Sequence, residues 1–210
     1  MQFEDELARV LPQDLPHRDR LISLGQKHLA MISVANEYMN LTRIVSPQEA
    51  AIKHIYDCVA PWRHFQSATH VLDAGTGAGF PGIPLAIILP QVRFTLAESI
   101  GKKARFVESV VDALELPNAA VIAERAESAV AAQRADIITA RAVAPIDRLM
   151  TLFQLPLKTG IRLLLFKGPD VEGEIAGAKM DHVAGTVLWR YDLPDGFGSR
   201  TLVELRSHKR

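Results

Sequence analysis

Asp73, Gly75, Gly77 and Gly79 stand at alternate positions in the stretch VLDAGTGAGFPGIPLA, and Phe80 and Pro81 follow them. Glycines at this spacing let a backbone turn sharply and approach a ligand with no Cβ in the way. A short apolar run precedes the loop and a helical pattern follows it. In an open α/β sheet that is where ligands bind, beyond the carboxyl ends of the strands. Glu98 ends the next apolar run, about twenty residues on, where an acid can accept both hydroxyls of a ribose. A Gly-rich turn beside a solvated glutamate would explain either feature alone. Loop and spaced acid together favour a nucleoside-containing cofactor.

Two common phosphate-binding loops do not fit. The dinucleotide fingerprint G-x-G-x-x-G needs a glycine where this chain has Phe80, and a P-loop needs Lys and Ser/Thr after its last glycine. The spacing that remains, D-x-G-x-G-x-G, is similar to that of class I S-adenosylmethionine-dependent methyltransferases. Their cofactor carries no phosphate, so the loop must supply clearance rather than an anion cradle.

The acceptor is narrowed by what is missing. Methylation at C5 of a pyrimidine uses a thiolate nucleophile. The one cysteine, Cys58, lies in a helical segment before Val59 and reads as a core thiol. Exocyclic amines on nucleic acid are commonly methylated by enzymes with Asp/Asn/Ser-Pro-Pro-aromatic after the fourth strand, where this chain reads TARAVAP. There remains an acceptor that needs no deprotonation, such as guanine N7 with its available lone pair, or one of a different kind. For N7, catalysis reduces to alignment along the S–CH₃ axis, worth several kcal/mol.

The elements that must position these residues follow from apolar patterning. Strands are expected at His70–Ala74, Val92–Ala97, Ala119–Ala123, Asp136–Ala140, Ile161–Phe166, Thr186–Tyr191 and Thr201–Arg206. The first five are continuously apolar, as in parallel strands buried on both faces. Segments of helical length such as GKKARFVESVVDALEL separate them, which implies right-handed βαβ units. The last two runs flank DLPDGFGS and read as an antiparallel hairpin at one edge. Before Val71 the pattern is helical. Leu21, Leu24, Leu29, Ile32 and Met39 form one apolar stripe and Ile52, Ile55, Val59 and Trp62 another. Ser46, Pro47 and Glu49 carry a helix-start signature. The expected organisation is an N-terminal helical cap, residues 1–65, before a sheet domain, residues 66–210.

With 210 residues, 48% hydrophobic and 23% charged, the chain is ordinary for a globular protein and long enough for a sizeable core. Lys plus Arg equal Asp plus Glu at 24 each, so no net charge announces a nucleic-acid partner, although a local basic patch still could. A single cysteine excludes an internal disulfide framework. The N-terminus lacks a basic start and apolar run, and no apolar stretch is long enough to cross a bilayer. A cytoplasmic protein is expected.

NLTRI, HIYDC, DAGTGAGFPGIPLAI, ESIGKKARFV, ARA and FKG occur in an order and spacing that resembles the bacterial 16S rRNA 7-methylguanosine methyltransferase G family, also called glucose-inhibited division protein B. The resemblance runs from about Asn40 to Gly168 and more loosely to the C-terminus. Its most distinctive part is Gly-Phe-Pro-Gly-Ile-Pro at the end of the loop. It implies methylation of N7 of one guanosine of 16S rRNA near the decoding centre, with S-adenosylmethionine as cofactor and S-adenosylhomocysteine as product. It further implies that Gly75 and Phe80 line the cofactor site, that Ala126 and Glu127 hold the adenine, and that Arg141 completes the pocket. Glu98 departs from the Asp often found in the family; the same contact is available on a longer arm.

Several side chains carry two readings each. Arg141, a cation at the carboxyl end of a central strand, needs a partner if buried. It could meet RNA phosphate, the cofactor carboxylate or O6 of guanine, or form a plain salt bridge, with Asp73 as one partner. Lys167, ending the fifth strand, is either a rim contact to phosphate or base or a charge opening a turn. His54 and Asp57 fall three apart, opposite the apolar stripe, and read as a solvated polar face; the resemblance gives them a role toward RNA or as a cleft lid. Asn40 ends the long helix as a cap or touches substrate. Lys102, Lys103 and Arg105, and the closing RSHKR, are candidate RNA contacts or solvated surface.

The combined expectation is an α/β, class I methyltransferase (Rossmann-like) fold: a seven-stranded, mostly parallel sheet with an antiparallel edge hairpin and an N-terminal helical cap. The expected cofactor contacts are Asp73, Gly75, Gly77, Gly79, Phe80, Glu98, Ala126, Glu127 and Arg141. The catalytic candidates are Arg141 and Lys167, and those toward RNA are His54, Asp57, Lys102, Lys103 and Lys167. No metal is expected, and the expected partner is 16S rRNA or the small ribosomal subunit, with the chain a monomer. The rivals are a methyltransferase with a small-molecule or protein acceptor, a non-catalytic ribosome-associated protein that only binds the cofactor, and a dehydrogenase, against which Phe80 already argues.

Overall fold

The computed structural model describes residues 2–178 and 182–208. Lys209 and Arg210, which end the basic RSHKR segment, lie outside the described residues. The seven strands are β1 (His70–Ala74), β2 (Arg93–Ala97), β3 (Ala119–Ile122), β4 (Ile137–Arg141), β5 (Arg162–Lys167), β6 (Val183–Asp192) and β7 (Ser199–Ser207). They form one sheet in the order β3-β2-β1-β4-β5-β7-β6. The first five strands run parallel, as their continuous apolar runs require. Strand β7 returns antiparallel to β5 and pairs with β6 in the edge hairpin. Strand β6 is longer than its apolar run because it pairs with β7 almost throughout, with one irregularity between Val187 and Trp189.

Strand β1 adjoins both β2 and β4, with Asp73 in register with Leu96 and Thr139. The chain order reverses there, so the loops leaving β1 and β4 diverge and open a crevice at their carboxyl ends.

Successive residues of β1 point to opposite faces of the sheet. Val71 belongs to one apolar cluster and Leu72 to another. The first cluster joins the sheet to helices α1 (Gln2–Val10), α2 (Arg18–Met39), α5 (Gly82–Ile88) and α6 (Gly101–Ala113) through Leu7, Leu29, Ile83 and Phe106. The second joins it to α7 (Ala126–Gln133), α8 (Ile146–Leu152) and α9 (Gln154–Lys158) through Val130, Leu149 and Leu157. A last short helix, α10 (Glu172–Gly177), follows β5.

The second N-terminal stripe folds less simply than its spacing implies. Ser46 Oγ accepts the Glu49 N–H at 3.2 Å and Pro47 opens α3 (Pro47–Ala50), as the start signature requires. The helix then widens into a π-helical turn, Ala51–Tyr56, before closing as α4 (Asp57–Val59). Asn40 caps α2 in the left-handed conformation, φ 52° and ψ 50°. Among the described residues no helix is long and apolar enough to cross a membrane.

Candidate functional site

The glycine loop is held from inside by two carboxylates. Asp73 is fully buried, and its Oδ2 accepts the Thr76 hydroxyl at 2.6 Å and the Gly82 N–H at 2.9 Å. Burial pushes its carboxyl up to about 6, although both donors favour the charged form. Glu98 Oε2 accepts the Gly77 N–H at 3.1 Å, and Oε1 accepts that of Ile100 at 2.8 Å. The loop amides of Gly75 and Thr76 donate to Ala97 O at 2.9 and 3.1 Å. A loop pinned this way needs left-handed backbone, and Gly75, Gly77 and Gly79 have φ of 69°, 64° and 99°.

Two cavities open at the carboxyl ends of β1 and β4, one on each side of the turn Arg141–Pro145. The first, about 250 Å³, is lined by Gly75, Ala97, Ser99, Ala126, Glu127 and Val143, among others. Gly75, Ala126 and Glu127 meet here as the resemblance implies. Ser99, Glu124 and Arg148 join them without any sequence signal that marked them. The second cavity, about 390 Å³, is lined by Lys53, His54, Asp57, Arg141, Lys167 and Arg200 with Ile44, Ala142, Phe166 and Gly168. Four candidate residues from three distant segments converge here, and Lys53 and Arg200 add two further cations.

The turn between the cavities is a partition. Ala142 faces the second cavity, and Val143 and Ala144 face the first. Ala142 has a φ of 56°, a conformation in which an L residue is strained and which clusters at functional sites. Lys167 fastens the turn from behind: its Nζ donates to Ala144 O at 3.0 Å and pairs with Glu174 Oε2 at 2.8 Å. Glu174 in turn accepts the Ile146 N–H at 3.2 Å. Lys167 therefore anchors the partition as well as lining the second cavity.

The structure corrects the reading of His54 and Asp57 as a solvated face. They are 7% and 4% exposed. Ile52, Ile55 and Val59 stay buried, so the apolar stripe holds; the opposite side is covered as well, because Phe80, Arg141 and Tyr191 pack against this π-helical turn and the residue that follows it. The turn's opened backbone also meets side chains, since Arg141 Nη1 donates to Lys53 O at 2.7 Å and Cys58 Sγ to His54 O at 2.9 Å. The partner of Arg141 is likewise Asp57, at 3.3 Å, rather than Asp73. Asp57 reaches it because the N-terminal helices cover this end of the sheet, whereas Asp73 is consumed by the loop.

Phe80 differs from the implied cofactor lining in its side chain. Its ring is stacked on His54 (4.7 Å between centroids, 8° between planes) and tilted against His28 (4.8 Å), and the Arg141 guanidinium stands 5.2 Å from its centroid. Burial, then the nearby Arg141 charge, pushes His54 down to about 3, and burial pushes His28 down to about 4. Both rings are therefore neutral at pH 7. His54 Nε2 is hydrogen bonded to Thr42 Oγ1 at 3.0 Å, which ties the NLTRI segment to the cavity wall. Asp73, Gly77, Gly79 and Glu98, and Lys102 and Lys103 on α6, line neither cavity. Cys58 is completely buried and burial pushes its thiol up, so it is no nucleophile.

A family model described as rRNA small subunit methyltransferase G matches residues 22–187. A Solibacter usitatus protein named ribosomal RNA small subunit methyltransferase G is 55% identical over 210 residues, covering 98% of this chain and 100% of that relative. One of the same name from Symbiobacterium thermophilum is 38% identical over 198 residues, covering 87% of this chain and 80% of the relative. Among solved structures, an O-methyltransferase from Bacillus cereus in complex with SAH superposes with a TM-score of 0.57 at 19% identity, covering 86% of this chain and 91% of that one. At that identity the likeness is one of fold, and it agrees with the seven-stranded methyltransferase fold expected from the sequence. Family model, relatives and fold converge, and the chain belongs to the rRNA small subunit methyltransferase G family.

Proposed function

We propose that the protein transfers a methyl group from S-adenosylmethionine to N7 of one guanosine of 16S rRNA, near the decoding centre. The observation that carries this reading is the pair of cavities on either side of the Arg141–Pro145 turn. One is lined by the glycine loop and the other by cations, so donor and acceptor can approach across a single thin partition. The family membership supplies the substrate class.

The residues fit the cofactor. A Cβ on Gly75 would sit 3.0 Å from Val143 Cγ2, so the cavity depends on a bare backbone at that point. Gly75, Ala97 and Ser99 form one wall of this pocket and Ala126 and Glu127 the adenine end, with Glu98 behind them holding the loop in shape. S-adenosylmethionine supplies an electrophilic methyl group on a sulfonium; the protein supplies position.

In the acceptor cavity Arg141 is the group that orients guanine, donating toward O6 beside the reacting N7. No general base is required, because N7 already presents a lone pair. His54 suits that chemistry, being neutral and held by Thr42 and Phe80 as wall rather than as proton carrier. Lys53 and Arg200 at the same cavity offer charge to RNA phosphate. In this reading the N-terminal cap, residues 1–65, completes the acceptor site.

The test uses radiolabelled S-adenosylmethionine with small subunits, extracted 16S rRNA and large subunits, all from cells lacking this protein. Label at one guanosine of 16S rRNA, sensitive to cleavage specific for 7-methylguanine, is the expected result. Cofactor binding with no label in any RNA would overturn the acceptor and leave the cofactor site standing.

A further inference from the structure

Tyr191 lies on the edge hairpin, 134 residues from Asp57 in sequence, yet its hydroxyl donates to Asp57 Oδ1 at 2.9 Å. The same hydroxyl stands 3.2 Å from the Asp57 carbonyl oxygen. The tyrosine is 7% exposed, and Trp189 stacks on its ring at 4.7 Å between centroids. Burial and the adjacent Asp57 push its hydroxyl well up, so it remains a donor. A phenylalanine would fill the same space without a polar group to satisfy, so the hydroxyl is there for its partner.

The two oxygens of Asp57 are divided between two tasks. Oδ1 takes the tyrosine hydroxyl, while Oδ2 faces Arg141 Nη1 at 3.3 Å and Arg200 Nε at 3.6 Å. The last torsion of an aspartate is soft and roughly two-fold, so a carboxylate held at one end only can swing. A donor on Oδ1 fixes its plane. Among the described residues, both hydrogen bonds of Arg141 are made by Nη1, to Asp57 and to Lys53 O. Its Nε and Nη2 are left for another partner, and where they point depends on how firmly Nη1 is held.

We propose that Tyr191 is a positioning residue for methyl transfer: through Asp57 it fixes the Arg141 guanidinium so that its uncommitted N–H edge meets the acceptor base. This rests on the reading that Arg141 orients guanine. Tyr191 lines neither cavity, and its effect on Arg141 passes through Asp57.

The experiment is a double-mutant cycle read by single-turnover label transfer from S-adenosylmethionine to small ribosomal subunits lacking the modification. Transfer by the wild type is measured first; no transfer to the subunit overturns the Arg141 reading and this inference with it. With wild-type transfer established, Tyr191→Phe is expected to slow the step about tenfold, the range for losing a hydrogen bond to a charged group, with cofactor affinity unchanged. In the Arg141→Ala background the same substitution is expected to change the rate less than about twofold. An unchanged rate in Tyr191→Phe, or the same loss in both backgrounds, would show a residue that only supports the fold. A second readout needs no turnover: the side-chain N–H signals of Arg141, assigned by their loss in Arg141→Ala, should broaden in Tyr191→Phe. Should Tyr191→Phe not fold, Asp57→Asn runs the same cycle from the other end of the contact. It is expected to be slow alone and to lose most of that effect with Arg141→Ala, the remainder passing through Arg200, and a fully additive loss would refute positioning.

Discussion

A Cβ built on Gly75 meets Val143 Cγ2 at 3.0 Å, which sets the first cavity's wall by the absence of a side chain after β1 and the presence of one after β4. Gly75 also sits at a φ of 69°, where an L residue costs about 1–2 kcal/mol. Gly75→Ala should therefore lower cofactor affinity by at least about tenfold, more than its effect on melting explains. Isothermal titration with S-adenosylmethionine checks this. Adding Val143→Ala removes the clash but not the strained backbone, so it should restore part of the affinity. Normal binding by folded Gly75→Ala would sink the assignment of the loop.

Arg141→Ala separates chemistry from structure. Transfer to small subunits should fall about a hundredfold, the scale for losing one preorganised donor at a reacting site. Cofactor affinity should change by less than about threefold, because Arg141 lines the other cavity. Stability should also fall, by a few kcal/mol, since Asp57 would keep a buried charge with one partner fewer. If Arg141→Ala, assayed where it is fully folded, transfers methyl groups at the wild-type rate, Arg141 is structural only.

Acid should destabilise the protein well above the usual carboxylate range. His28 and His54 are held neutral in the fold at about 4 and about 3, but titrate near their ordinary value of 6.5 once unfolded. The unfolded chain therefore takes up more protons as pH falls through 6.5, and each histidine costs about 2 kcal/mol at pH 5 relative to pH 7. Asp73 acts oppositely: its folded value of about 6 lies above its ordinary 3.8, so its buried-charge cost is relieved between those values on acidification, by about 1 kcal/mol at pH 5. Urea unfolding at pH 7 and pH 5 should show a net loss of about 3 kcal/mol. In His54→Gln that loss should shrink by about 2 kcal/mol, and an unchanged pH dependence would place His54 outside the buried set.

The two basic clusters make different predictions for RNA. Lys53 borders the second cavity, whereas Lys102 and Lys103 on α6 line neither cavity. Lys53→Gln should weaken binding to 16S rRNA and reduce the salt slope by roughly one phosphate's worth. The Lys102→Gln, Lys103→Gln pair should lose less than half as much affinity. The opposite ranking, in filter binding across a salt series, would move the RNA face to α6.

Much of the frame was legible because it is built from short-range regularities. The strands show as apolar runs, since a parallel strand covered on both faces leaves few polar positions. His70–Ala74 was placed to the residue, and the edge hairpin was marked by Gly, Pro and Asp in its connector. The helix start at Ser46 showed because a cap is a contact over three residues. The face of His54 and Asp57 was misread for the converse reason. The apolar stripe is buried as its spacing requires, but the groups that cover the opposite side reach Asp57 across 84 and 134 residues and leave no local mark.

By itself, then, the sequence determined the alternation of strand and helix, the bare backbone at Gly75, and through its motifs the family. Each of these is decided within some twenty residues, where backbone sterics and local periodicity act. Only the tertiary structure decided that Arg141 would find Asp57 across 84 residues, that Tyr191 would reach the same carboxylate from the edge hairpin, and that Phe80 would turn inward between two histidines. Those pairings depend on sheet order and on which helix covers which face, and a buried charge takes whichever partner that arrangement brings within reach.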